Sequence, residues 1–195
     1  MLKVKYLKIE SRKMKNESGY TFTEVLMVVL VIAILAAAAI PAFGVWAPDQ
    51  RLKTAGRKLL STIQLAKMTA VQRNAYCTVT FNQSISGKTY DCVAFEDTDE
   101  DSKFDAGEKV IEMSCFTDDY KDVSFDTSQG GGDGIDDTFV SNTDGLPVLS
   151  FSSRAFPVAF DGVSEVGVFG SIYLVNTKGK TLSVSVSPAG AVSID

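Results

Sequence analysis

Three hydrophobic rhythms follow one another along the chain. From Val25 to Ile40, sixteen successive residues carry neither a charge nor a hydrogen-bonding side chain, and the uncharged stretch continues to Pro48. As a helix rising about 1.5 Å per residue, residues 20–48 are long enough for a hydrocarbon core of roughly 30 Å, so this stretch reads as a membrane segment. From Asp49 the period becomes helical: Leu52, Ala55, Leu59, Ile63, Ala66 and Ala70 recur at three and four residues, with Arg51, Lys53, Arg57, Lys58, Lys67 and Arg73 mostly off that stripe. Residues 49–75 are thus predicted to continue as an amphipathic helix whose stripe packs on a sheet. Pro41 and Pro48 interrupt the run, and a kink or a loosened turn is expected at each.

After Asn74 the period is two. Tyr76–Phe81 and Lys88–Phe95 are β-branched and aromatic runs around a polar connection, Asn82–Gly87, and predict a hairpin. Val110–Phe116 predicts a further strand. Asp118–Gly145 is polar and glycine-rich, which predicts a long exposed loop with short strand pieces such as Val123–Phe125. Further strands are expected over Leu146–Ser152, Pro157–Phe160, Val166–Asn176, Thr181–Ser187 and Ala191–Ile194, with turns at Asp161-Gly162, Lys178-Gly179 and Pro188–Gly190. The fold class is α+β: a long N-terminal helix, then an antiparallel β domain over residues 76–195 with acidic loops at 96–108 and 117–145.

Charge divides the chain. Residues 1–19 carry six bases against two acids, and positive flanks stay cytoplasmic, so the leader is expected inside and the bulk of the chain outside, across a single crossing. The whole chain has net charge −5, and without that leader of net +4 it has −9. Between Glu96 and Gly145 there are sixteen acids and three bases, a surface that repels nucleic acid and suits calcium, a basic partner or plain solvation. The chain has no histidine, which removes Ser-His-Asp and Cys-His nucleophile pairs and histidine-ligated zinc. No carboxylate constellation argues for catalysis, and the chain reads as a non-enzyme.

Two patterns carry candidate chemistry. In Asp97–Glu108, DTDEDSKFDAGE, Asp97, Asp99, Asp101 and Asp105 fall at positions one, three, five and nine of a twelve-residue calcium loop, Lys103 offers its carbonyl at seven and Glu108 closes at twelve. Ser102 stands where such a loop has glycine, and the flanks read as strands; a solvated acidic turn is the other reading. Cys77 and Cys92 lie on the two arms of the hairpin, equidistant from a centre near Ser84 and Ile85, and could face one another as a disulfide, leaving Cys115 over; the three are otherwise small buried hydrophobes. The run Gly130-Gly131-Gly132-Asp133-Gly134 is not a phosphate loop, because no Lys-Ser/Thr and no helix pattern follow it.

The entrance to the apolar run is the most specific stretch. A basic leader, Gly19, the aromatic Tyr20 and a lone carboxylate, Glu24, precede it. A carboxylate at the edge of a membrane helix needs a partner. A cut after Gly19 would supply one, placing a new α-amino group about one helical turn from Glu24. An ordinary secretory signal peptide or a simple membrane anchor would not require this Gly19/Glu24 spacing.

In these residues the chain resembles the type IV pilins and the pseudopilins of type II secretion. There a prepilin peptidase cuts after a glycine, the mature chain begins with an aromatic residue that is N-methylated, its fifth residue is glutamate, and a proline kinks the helix. Gly19, Tyr20, Glu24 and Pro41 take these places, with Tyr20 where Phe is usual. The junction Ile63–Phe81, the acidic turn ending Gly107-Glu108, and the ending from FSSRAFPVAF onward are similar to GspH/FimT-type minor subunits. The resemblance implies a minor pseudopilin of a type II secretion system, joined to other pseudopilins through its N-terminal helix; a minor pilin of a type IV pilus, or a membrane-tethered calcium- or ligand-binding module, are the alternatives. Members that bind DNA carry arginines around the last glycine turn; here Ala191, Val192 and Ser193 follow Gly190, so no nucleic acid is expected.

Overall fold

The computed structural model describes residues 19–160 and 164–195, excluding the side chains at 38, 40–43, 45 and 117. The leader at 1–18 and the expected turn at Asp161-Gly162 therefore lie outside the described residues. The described chain is a helix followed by antiparallel sheet, as the α+β reading expects, and it divides into two compact units, up to Ala42 and from Phe43 onward.

In the first unit, Thr21 caps the helix α1 (Phe22–Arg73): its hydroxyl accepts the Glu24 amide at 3.2 Å and its carbonyl accepts the amides of Glu24 and Val25. Tyr20, Phe22 and every large apolar side chain from Val25 to Leu35 are exposed, on all sides of the helix. Among the described residues no helix is long and apolar enough to cross a membrane. Neither Pro41 nor Pro48 ends α1.

In the second unit the predicted stripe is the core face of the helix: Leu52, Ala55, Leu59, Ile63, Ala66 and Ala70 are all at most 1% exposed. The helix stops at Asn74, whose positive φ of 50° closes a Schellman pair, Asn74 amide to Val71 carbonyl and Ala75 amide to Ala70 carbonyl.

Two antiparallel sheets complete the unit. The first has six strands in the order β3-β2-β1-β5-β6-β7: β1 (Tyr76–Ile85), β2 (Lys88–Asp97), β3 (Lys109–Ser114), β5 (Val148–Phe151), β6 (Pro157–Phe160) and β7 (Glu165–Gly167). The second has four in the order β10-β9-β8-β4: β4 (Val123–Phe125), β8 (Gly170–Asn176), β9 (Thr181–Val186) and β10 (Val192–Ile194). Helix, first sheet and second sheet share one core, in which Leu59 and Ile63 join Val79 and Phe81 of β1, Leu149 and Phe151 of β5, and Ile172, Leu174 and Val184 of β8 and β9. The helix also comes close to β9: a Cβ added at Gly56 would lie 2.5 Å from a Leu182 methyl carbon.

Four expectations change. The hairpin strands run through the polar Asn82–Ile85 segment to a two-residue turn at Ser86-Gly87, both at positive φ, as a type I′ turn requires. That moves the centre of the hairpin, so Cys77 pairs with Glu96 and Cys92 with Phe81; the two cysteines do not face one another, and all three thiols are free. The strand expected over Val110–Phe116 ends at Ser114, and Phe116 opens a short helix, α2 (Phe116–Asp119), with its ring fully buried. The single strand expected over Val166–Asn176 is two: β7 ends at Gly167 in the first sheet and β8 begins at Gly170 in the second, so the chain changes sheets at Val168-Phe169.

The glycine-rich stretch is more ordered than an exposed loop. β4 pairs with β8, a 3-10 turn forms at Gly130–Gly132, Ile135 bridges Ile172, and Ile135 and Phe139 are buried in the shared core.

Candidate functional site

Two regions hold the residues singled out above, one in each unit. In the first, Gly19, Tyr20 and Glu24 stand at the head of α1, all exposed, with Tyr20 and Glu24 lining the same shallow surface as Val25, Val28 and Val29. The capped first turn fixes Glu24 at the third helical position, where a carboxylate is favoured by the positive end of the helix dipole. An exposed cylinder of valine, leucine and isoleucine below a carboxylate is a surface for lipid or for other apolar helices, because contact with water is unfavourable for apolar side chains.

The second region is the β2–β3 connection, Thr98–Glu108. It folds back over the outer face of the first sheet, where Phe104 packs edge-on against Phe95 of β2 at 5.2 Å. Asp97, the last residue of β2, is 2% exposed. Its Oδ2 accepts the Thr78 hydroxyl at 2.8 Å and the Ser102 amide at 2.9 Å, while its Oδ1 is buried with no hydrogen-bond partner. The Glu100 amide also faces this carboxylate without closing to a hydrogen bond. Burial pushes the Asp97 carboxyl up to about 6, against the hydrogen bonds from Thr78 and Ser102, which lower it.

Glu108 closes the loop: its Oε1 accepts the Thr98 amide and its Oε2 the Asp105 amide, each at 2.9 Å. Asp101 Oδ1 accepts the Lys103 amide at 2.8 Å. Burial raises the pKa of Glu108 and Asp101 from their usual values, and nearby carboxylates add to it, against the amides that bond them. The fold brings the predicted residues into two groups joined at Asp99. Carboxylate oxygens of Asp97, Asp99 and Glu108 lie within 4.8 Å of one another, and so do those of Asp99, Asp101 and Asp105. Lys103 reaches out of the loop, its ammonium 3.5 Å from Asp144 and 3.9 Å from Asp105.

Ser102 is the residue that sequence reasoning undervalued. It holds φ at +60°, the left-handed conformation that a glycine would take at position six, yet it is 3% exposed and bonded on every side. Its amide donates to Asp97, its hydroxyl meets Ser150 and accepts the Phe160 amide at 3.0 Å each, and its carbonyl accepts Asn142 Nδ2 at 3.1 Å. Thr78 and Ser150 extend this chain of hydroxyls across β1 and β5. No local signal marks these residues, because their partners lie 48 and 58 residues downstream. Beside the loop is a cleft of about 350 Å³ lined by Tyr76, Asp99, Ser102, Phe160 and Glu165, in which the Tyr76 hydroxyl donates to Glu165.

The last glycine turn is built into the fold. Gly190 has φ +76°, its carbonyl accepts Lys67 Nζ at 2.7 Å, and an added Cβ would lie 2.5 Å from the Ala155 carbonyl oxygen. The Lys67 ammonium that reaches this turn from α1 is thus tied to backbone.

No curated protein and no solved structure matches the chain. Residues 14–40 match the family described as the prokaryotic N-terminal methylation motif. That match covers Gly19, Tyr20, Glu24 and the apolar run up to the residue before Pro41, and the motif marks structural pilin-like subunits, not an enzyme family. The head of α1 therefore carries a type IV pilin-like prepilin signal.

Proposed function

We propose that this chain is a minor pseudopilin, a structural subunit of the periplasmic pseudopilus of a type II secretion system, of the GspH/FimT type. The observation that carries the reading is the methylation motif at residues 14–40 set at the head of a helix exposed on all sides through apolar residues. Prepilin peptidase cuts after Gly19, and Tyr20 becomes the N-methylated first residue. Before assembly the apolar helix holds the subunit in the inner membrane as a single pass, using the uncharged residues up to Pro48 beyond the Val25–Ile40 core. In the filament the same side chains pack against helices of other pseudopilins, and Glu24 meets the amino terminus of an adjacent subunit, which removes the cost of an unpaired carboxylate in an apolar setting. Pro41 lacks the amide for an i→i−4 bond and loosens the helix there. The acidic β unit faces the periplasm.

The experiment is the intact mass and N-terminal residue of the protein recovered from membranes of cells that have a prepilin peptidase. A chain beginning at methylated Tyr20 is the expected result. A start near Ile40 or beyond, or an unprocessed Met1, would overturn the reading. Loss of secretion, and not of piliation, on deletion in the producing cell distinguishes the pseudopilus from a type IV pilus.

A further inference from the structure

The β unit holds a feature that filament assembly does not use. The outer face of its first sheet is covered by a loop that groups the carboxylates of Asp97, Asp99, Asp101, Asp105 and Glu108, with Glu100 beside them, and one of their oxygens, Asp97 Oδ1, is buried without a hydrogen bond. A desolvated carboxylate oxygen without a hydrogen bond is costly: the Glu100 amide faces this carboxylate without closing on it, and Asp99 and Glu108 present further carboxylate oxygens. Among the described residues the ion pairs of this loop are those of Lys103, which point to Asp105 and Asp144 and leave Asp97, Asp99 and Glu108 to one another.

We infer that Asp97, Asp99 and Glu108 bind one calcium ion, with Asp101 and Asp105 adding negative charge through the group they form with Asp99. The dimensions fit the ion. Calcium takes oxygen ligands at about 2.3–2.6 Å, so two oxygens on opposite sides of one ion lie up to about 5 Å apart, and the three carboxylates already stand within 4.8 Å of one another. All donors are hard oxygens, and no histidine or thiol among the described residues belongs to either group, which sets the site apart from those of zinc or copper. Asp97 is held from behind by the Thr78 hydroxyl and the Ser102 amide on Oδ2, so Oδ1 is left to the ion without any movement of the sheet. Asp99 is exposed at the mouth of the cleft beside Tyr76 and gives the ion its way in from solvent. The ion would fasten the β2–β3 loop to the sheet at Asp97 and close it at Glu108, on a part of the subunit separate from the helix that assembles.

The test is calorimetric titration of calcium into the full-length chain in detergent micelles after treatment with a chelator, with magnesium titrated in parallel. One saturable site per chain is expected, with a dissociation constant at or below about 1 mM, the range of extracellular modules. Asp99→Asn and Glu108→Gln are each expected to weaken it roughly tenfold or more, as loss of one charged ligand does. Asp118→Asn, which removes an equally negative side chain paired with Lys88 elsewhere on the surface, should leave it unchanged. Calcium should also raise the melting temperature of the parent chain and not that of Asp99→Asn. Heat that never saturates, binding that survives Asp99→Asn, or equal affinity for magnesium would each overturn the assignment. Should Glu108→Gln fail to fold because it closes the loop, Asp99→Asn decides alone, since its side chain is exposed. None of these outcomes depends on how the N-terminus is processed.

Discussion

Single residues decide how the three thiols behave. Cys77 and Cys92 are fully buried, and burial pushes both thiols up to about 12, so neither forms a thiolate in the ordinary working range. Cys115 is only partly buried, and its thiol is raised less far, again first by burial. A thiol reagent applied to the folded chain at pH 8 should therefore label one cysteine quickly, at position 115, and the other two only on unfolding. Because a raised thiol pKa keeps the neutral form over the whole span below it, moving from pH 7 to pH 9 should not expose them. Mass spectrometry of the labelled peptides measures this; fast labelling of Cys77, or a recovered Cys77–Cys92 disulfide, would contradict the register of the hairpin. The same register explains why spacing alone misled: counting outward from Ser84 and Ile85 places the cysteines opposite, whereas the turn at Ser86-Gly87 offsets them by four residues.

At the scale of elements, the helix from Phe43 onward is held by one stripe and a few polar ties at its edges. Arg51 pairs with Asp122 at 2.6 Å, Lys58 with Glu112 at 3.0 Å and Asp49 with Lys180 at 2.9 Å, all at least a quarter exposed, so each contributes little. The stripe carries the stability. Leu59 lies at its middle, fully buried in the core shared with both sheets, and truncation leaves a cavity there. Leu59→Ala should cost about 2–5 kcal/mol in chemical denaturation of the β unit's transition. A cost below about 1 kcal/mol would mean that the helix is not part of this core. The stripe was legible because period and burial coincide over nineteen residues, from Leu52 to Ala70. The sheet partition was not, because Val166–Asn176 reads as one strand in any local window, and only pairing partners separate Val166, opposite Ala159, from Ile172, opposite Val184.

For the whole molecule, the proposed function assigns assembly to the first unit and folding to the second. Glu24 belongs to the first unit and lies within the methylation motif, whereas the core stripe from Leu52 to Ala70 belongs to the second and lies outside that motif. Glu24→Ala should therefore leave the melting of the β unit unchanged within about 0.5 kcal/mol, as surface substitutions do, while filament incorporation is lost. Cross-linking of the variant in membranes, beside a melt of the same preparation, reads both. A variant that assembles normally, or one that loses its fold as well, would break the division of labour proposed for the units.

The sequence by itself determined what depends on local period and fixed spacing. These are the apolar run, the core stripe of the helix, most of the strands, and the Gly19, Tyr20 and Glu24 signature, since each is written within a few turns of chain. Tertiary structure alone decided what depends on partners far apart in the chain. It placed Cys77 against Glu96, sent β7 and β8 to different sheets, and buried Ile135 and Phe139 beneath a glycine-rich stretch that reads as solvent-exposed. It also made Ser102 the anchor of the acidic loop and left Asp97 Oδ1 buried without a donor, because Ser150, Phe160 and Asn142 arrive there only when the sheet closes.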